Sequence, residues 1–263
     1  MIMRKLLNKL LTQFDAEIVR QSFHNDLIAK QKKYKTYEMA DVIGGNFRAD
    51  YFSNIENSHS QIFQDLFALS ISGFKKNGFF VEFGATNGMH LSNSLLLEKQ
   101  FAWSGILAEP AKKWHAALKE NRTAHIEFDC VWRKTGETLT FNEADDGELS
   151  TIDSFSTVDK HSEARQHGAR YDVSTISLYD MLKKHNAPQF IDYLSIDTEG
   201  SEYEILNAFD FSAYRFGCIT VEHNFTPMRE KIFNLLSQTG YERKFTEFSR
   251  FDDWYVLTEK MKS

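Results

Sequence analysis

The chain has 263 residues, 42% hydrophobic and 26% charged, enough to bury one sizeable α/β core without a second full domain. Its formal net charge of −6, with no basic stripe interleaved with aromatics, argues against a nucleic-acid partner and for a neutral small-molecule or glycan one. The two cysteines, Cys130 and Cys218, sit in apolar strand contexts and read as buried free thiols, and nothing in the Cys and His spacing points to zinc.

No apolar run approaches the ~18 residues of a membrane span. The N-terminus has basic residues but no unbroken apolar stretch, so no cleaved signal peptide is expected. Instead Ile2, Leu6, Leu7, Leu10, Leu11, Phe14, Ile18 and Val19 recur at helical spacing and predict an amphipathic helix. That helix would pack on the domain or on a sister subunit of a homo-oligomer. With Arg4, Lys5 and Lys9 it could also dock on a partner or a membrane surface. The expected location is the cytoplasm, with peripheral contact at the inner membrane surface as the further option. Residues 32 to 58 read as a polar connector that could cover the site. The extension is therefore expected over 1–58 and the domain over 59–263.

Phe79 to Phe83 form an apolar run interrupted only by Glu82, which suits an inner parallel strand, and Gly84-Ala85-Thr86-Asn87-Gly88 follows as a turn. Two glycines four positions apart allow a sharp turn and a close backbone approach to a ligand. Ser92 to Glu98 then offer an N-cap and good helix formers. A second short strand, Trp103 to Ala108, stops at Glu109-Pro110, with proline well placed to start a helix. An acid there suits the ribose hydroxyls of a nucleotide cofactor in doubly wound folds. The dehydrogenase fingerprint G-x-G-x-x-G seats a pyrophosphate, and this turn lacks its middle and third glycines. A donor without a pyrophosphate, S-adenosylmethionine, fits the looser turn better than a nicotinamide cofactor does.

A third strand is expected over His125 to Phe128, followed by Asp129 and Cys130. Thr138 to Phe141 suggests an inserted strand. Asn142 to Gly147 and Ser154 to Arg170, which carries His161 and His167, read as solvated loop or as a flap that recognises the acceptor. Phe190 to Asp197 forms the next strand, and Gly200 permits a turn into a helix through Tyr203, Ile205 and Leu206. Asp197 and Glu199 at that strand end can orient a hydroxyl, take its proton, hold a cationic donor or bind a divalent metal. Glu202 suits helix capping. After Cys218 to Val221 come Glu222 and His223, an acid beside a candidate general base. Met228 to Leu236 reads as a helix and Trp254 to Leu257 as the closing strand.

These segments together resemble the FkbM family of S-adenosylmethionine-dependent methyltransferases. The resemblance spans about Gln61 to Leu257. It rests on Ser60-Gln61 with Gln64-Asp65, on FVEFGATNGMHLSNS, GILAEP, YLSIDTEGSE and TVEHN, in order and at fitting spacing. Many members carry Lys where this chain has Ser195, so no catalytic lysine is expected there. The resemblance implies an α/β, Rossmann-like class I methyltransferase fold. Its sheet has seven mostly parallel strands with the last antiparallel, here joined to an N-terminal helical extension. It implies S-adenosylmethionine as cofactor and O-methylation of a sugar, glycan or related small molecule as the commonest activity. By position, Glu82, Gly84, Asn87 and Gly88, with Ala85 and Ser92 of the same turn, would contact the methionine part of the donor. Glu109 would take the ribose, and Asp129 and Cys130 the adenine. Asp197, which also faces the donor, would line the acceptor side with Glu199, Glu222 and His223. His223 is the candidate base, Asp197 the competing one, and a divalent ion among the carboxylates is allowed but not required. The family outline also includes non-catalytic Star-like trafficking proteins, so the alternative is a binding protein that retains the fold.

Overall fold

The computed structural model describes residue 25 and residues 33–145, 147–157 and 161–258. The amphipathic helix expected between Ile2 and Val19 lies outside the described residues.

Phe79–Phe83 form β1, and Ser104–Ala108 and His125–Glu127 follow it as β2 and β3, each pairing in parallel with the strand before. Phe190–Ile196 (β8) pairs in parallel with the other edge of β1, and Arg215–Glu222 (β9) continues in parallel beyond it. Asp252–Leu257 (β11) then runs antiparallel to β9 and to Tyr241–Lys244 (β10). The result is a mixed seven-stranded sheet of order β3-β2-β1-β8-β9-β11-β10. The chain leaves β1 toward one side and returns to its other side at β8. This makes a switch point where the turns after β1 and β8 diverge and leave a crevice.

Side-chain alternation sends neighbouring residues to opposite faces of this sheet. Phe80, Leu107, Tyr193, Cys218 and Trp254 join one buried cluster, while Val81, Ile106, Leu194, Ile219 and Tyr255 join another. The first is covered by Gln64–Ile71 (α3), Leu95–Phe101 (α4) and His115–Asn121 (α5), through Leu66, Phe67, Leu96 and Leu118. The second is covered by Leu178–Lys184 (α6), Glu202–Asn207 (α7) and Met228–Gln238 (α8), through Met181, Leu206 and Leu236. Strands with both faces covered read as continuous apolar runs, which is why β1, β2, β8 and β9 were legible.

Two parts differ from the sequence expectation. Residues 33–42 (α1) and Arg48–Asn54 (α2) are helical rather than a connector over the site. They bury Met39, Ala40, Ile43 and Tyr51 against the same cluster as Phe67 and Trp254. The isolated apolar residues among lysines and asparagines supply only a one-sided stripe, and tertiary packing decides the conformation. The segment after β3 also builds a second sheet instead of one strand and loop: Cys130–Trp132 (β4), Ala169–Ser177 (β7), Thr138–Glu143 (β5) and Thr151–Ile152 (β6), in that order. The nine-residue β7 buries only Val173, Thr175 and Ile176, so its polar exposed face hides the strand in the sequence.

One buried network fixes the turn that follows β1. Glu82, 2% exposed, accepts the Asn93 N–H at 2.7 Å and the hydroxyls of Ser92 and Ser94. Arg122, at the end of α5, lies 3.9 Å from Glu82 and donates to Glu98 at 2.8 Å, to the Gly88 carbonyl at 3.1 Å and to the hydroxyls of Ser92 and Ser94. Helix α4 therefore starts at Leu95, three residues later than Ser92, because the serine hydroxyls serve Glu82 and Arg122 rather than the helix end. Arg122→Met leaves buried Glu82 without its cation and Glu98 with Lys99 alone, at 3.4 Å, and is expected to lower unfolding stability by about 3–5 kcal/mol. Urea denaturation checks this. Arg122→Lys should recover only part of the loss, because an ammonium cannot reproduce the guanidinium fork.

Candidate active site

The carboxyl ends of β1, β2, β8 and β9 open onto a cavity of about 220 Å³. Its floor is the contact between two turns. Gly84 sits at φ +72°, and a Cβ there would lie 2.1 Å from the Asp197 carbonyl oxygen, so only glycine lets the β1 turn meet the end of β8. Gly88, at φ +78°, is packed against Arg122 and Leu118 instead. Glu82, Gly84 and Glu109 line the cavity, whereas Ala85, Asn87, Gly88 and Ser92 do not. The role of Asn87 is local: its side-chain oxygen accepts the N–H groups of Met89 and His90, and its own carbonyl accepts from Asn121. Ser92 acts behind the wall, on Glu82 and Arg122.

Glu109 is 4% exposed. One carboxylate oxygen accepts the Thr86 N–H and the other the Ala111 N–H, both at 2.8 Å, so this acid ties the β1 turn to the end of β2 while still facing the cavity. Burial raises its pKa to about 7, against the lowering effect of those two N–H groups. Beyond it, Cys130 and Val131 of β4 and Phe141 and Ile152 of the second sheet form an apolar wall. Asp129 is half-buried and does not line the cavity; its N–H donates to the carboxylate of Glu127. Cys130 is a buried free thiol whose pKa burial pushes up to about 12, so it is a packing group there and not a nucleophile.

The opposite wall is set by strand register. β8 and β9 pair Ile196 with Val221, and β9 and β11 pair Glu222 with Asp252. Asp197, Glu222 and Asp252 therefore follow one another across three adjacent strands. Burial raises all three: Asp197 to about 6, Asp252 to about 8, and Glu222 well above the usual carboxylate range; the charge of Asp197 adds to the rise at Glu222 and Asp252, whereas the hydrogen bond with Glu222 acts to lower Asp197. Asp197 and Glu222 share a hydrogen bond, and the direction of their shifts puts the shared proton on Glu222. Asp252 accepts from the Gln64 side chain at 2.9 Å.

Glu199 is held differently. It adopts the left-handed conformation at φ +57°, its carbonyl accepts from the Thr151 hydroxyl at 2.9 Å, and its carboxylate accepts from Arg165 at 2.8 Å. Asn224 bridges it to Glu222, with contacts of 3.2 and 2.8 Å. Arg165 is fully buried and comes from the segment read as solvated loop, so the second sheet reaches into the site. A lone arginine among charged residues carries no local signal for this; only the folded insert brings it to Glu199. Asn224 stands within the quoted TVEHN segment, directly after a strand end, and could have been singled out there. His161 of the same insert lines the cavity, whereas His167 does not. Glu202 caps its own helix turn, accepting from the N–H groups of Thr198 and Gly200.

His223 is corrected by the geometry. Its ring is 4% exposed and does not line the cavity. Nδ1 accepts the Phe225 N–H at 3.0 Å, which assigns the proton to Nε2, 3.8 Å from Asp253. Burial lowers its pKa. A ring whose free lone pair is already used and whose N–H points away from the cavity has no means of accepting a proton from an acceptor. The carboxylates of Asp197, Glu199 and Glu222 each place an oxygen within 4.8 Å of the others, a spacing that admits a divalent ion. Arg165 already neutralises Glu199, and a shared proton joins Asp197 to Glu222, which leaves Asp197 as the carboxylate of the cluster with no lysine or arginine partner among the described residues.

Comparison with curated protein sequences gives no significant match. Among solved structures, the chain is similar to precorrin-6y C5,15-methyltransferase from Geobacter metallireducens, at 11% identity and a TM-score of 0.38, covering 73% of this chain and 85% of that one. A mutant of MtNAS matches at 11% identity and a TM-score of 0.34, covering 84% and 68% of the two chains. An uncharacterised protein from Burkholderia thailandensis matches at 11% identity and a TM-score of 0.28, covering 89% and 71%. The model of the methyltransferase FkbM domain matches residues 82–254, from the Glu82 that anchors the β1 turn to the Trp254 of the last strand, and the chain belongs to that family.

Proposed function

We propose that this methyltransferase is an S-adenosylmethionine-dependent O-methyltransferase acting on a hydroxyl of a sugar, glycan or related small molecule. The reading is carried by the Asp197–Glu222 pair, an ionisable carboxylate and its proton-bearing neighbour facing one cavity with Glu109 and the Gly84 turn. S-adenosylmethionine, when bound, supplies an already activated methyl group. The protein's task is then alignment, with proton removal secondary.

The cavity suits that group. Gly84 leaves room for close backbone approach, and Glu109 has lone pairs left for ribose hydroxyls after its two N–H contacts. Cys130, Val131 and Phe141 offer an apolar surface for a flat base. Asp197 is the proposed base in place of His223: with a pKa of about 6 it is ionised at neutral pH, and Glu222 holds it in place through the shared proton. Glu199 is a positioning residue, clamped by Arg165 and Thr151 so that Asn224 orients Glu222.

Four outcomes test this. Wild type should bind S-adenosylhomocysteine in a calorimetric titration, and Glu109→Ala should weaken it about tenfold, ~1.4 kcal/mol. A folded wild type that does not bind would leave the non-catalytic scaffold as the answer. In a screen of sugars and glycans for transfer of labelled methyl, Asp197→Asn should lower kcat by about 10²–10⁴ while retaining binding of S-adenosylhomocysteine. The base must be ionised, so kcat should be level above a pH of about 6 and fall as the pH drops through that value. An unchanged acid limb in the Asp197→Asn enzyme would move the base elsewhere. Added chelator is expected to leave the rate unchanged, because Arg165 already pairs with Glu199 and a shared proton already joins Asp197 to Glu222; loss of activity that magnesium restores would establish a metal requirement.

A further inference from the structure

Most buried acids of this protein have a cation at hand. Arg122 serves Glu98 and Glu82, Arg165 serves Glu199, Lys184 serves Glu127 at 2.7 Å, and Arg229 and Arg243 serve Asp253 at 2.7 and 3.0 Å. The Asp197–Glu222 pair, half-buried at the cavity wall, is different. Its hydrogen bonds run between the two carboxylates and to the amide of Asn224. Among the described residues that line the cavity there are six acids and no lysine or arginine, and Glu148 at the rim faces the imidazole of His90 at 3.4 Å. A carboxylate that faces a cavity without a countercharge is stabilised by a cationic occupant.

We propose that the cavity selects its occupant by charge, holding a cationic methyl donor more tightly than the neutral thioether left after transfer. The inference rests on the donor reading above and adds the source of discrimination between substrate and product. When the methyl group moves from sulfur to the acceptor oxygen, the S–C bond pair stays on sulfur, which becomes neutral, and the hydroxyl proton passes to Asp197. Once that proton escapes to solvent, the restored carboxylate faces a ligand with no positive sulfur. Asp197, with no lysine or arginine partner among the described residues, thus favours exchange of product for fresh donor.

The test uses the full chain and two ligands of similar shape, sinefungin, which carries an amine near the position of the sulfonium, and S-adenosylhomocysteine, which is neutral there. Calorimetric titrations in low salt with EDTA, at about pH 7.5, are expected to show sinefungin binding at least about tenfold tighter. Asp197→Asn should reduce that ratio to about threefold or less while S-adenosylhomocysteine affinity stays within about threefold of wild type, which also shows the variant to be folded. Equal affinities in wild type, or an unchanged ratio in Asp197→Asn, would overturn the proposal and leave the donor reading intact. A ratio that vanishes when magnesium replaces EDTA would overturn it in favour of a bound cation as the missing charge. If a folded wild type binds neither ligand, the donor reading fails and the inference with it.

Discussion

The contact between Gly84 and the carbonyl of Asp197 is the constraint on which the site depends. It joins the turn after β1 to the turn after β8 at the place where strand order reverses, and a single methyl group would abolish it. Everything nearby serves to hold those two turns at that distance. Glu109 ties the β1 turn to the end of β2 through two N–H groups, and Glu82 with Arg122 fixes the far end of the same turn. On the β8 side, Glu202 gathers the N–H groups of Thr198 and Gly200, while Thr151 and Arg165 of the second sheet hold Glu199 in a left-handed conformation. A non-glycine residue at positive φ persists only where its surroundings over-determine it, and here contacts from Arg165, Asn224 and Thr151 do so.

Two kinds of buried acid follow from this arrangement. Those that build the frame, Glu82, Glu98, Glu127, Glu199 and Asp253, are matched to arginine or lysine; Asp197 and Glu222, which face the cavity from the β8 and β9 ends, are not matched among the described residues. Parallel register between β8 and β9 makes their closeness inevitable, because adjacent strand ends bring their side chains side by side. The energetic consequence is a site whose two carboxylates are pushed up to different extents, Asp197 to about 6 and Glu222 well above the usual range, which is how neighbouring acids acquire different roles.

Much of the frame was legible because it obeys local rules. The buried strands β1, β2, β8 and β9 are apolar runs, the β1 turn announces itself with Gly84 and Gly88, and Glu109 and Asp197 stand directly at strand ends. What escaped had no local signature. β7 is a half-exposed inner strand of a small sheet, and its alternation of Arg170, Asp172 and Ser174 with less polar residues looks like loop. Arg165 acquires meaning only when the insert folds back over Glu199. The stretch before α3 looked like linker because its apolar residues are sparse, yet Tyr51 ends up fully buried.

His223 shows the limit of reasoning from adjacency. It follows Glu222 at a strand end, and a histidine near neutral pKa beside an acid is a natural base. Strand pleating, however, sends successive side chains to opposite faces. If Glu222 faces the cavity, its neighbour must turn away from it, and His223 does so, toward Asp253, Arg229 and Arg243. The same rule applied to β8 and β9 together selects Asp197 and Glu222, each one position beyond the paired Ile196 and Val221. Register therefore puts Asp197 and Glu222 on the cavity side and His223 on the other, and Asp197 is the acid whose pKa, about 6, leaves it charged at neutral pH.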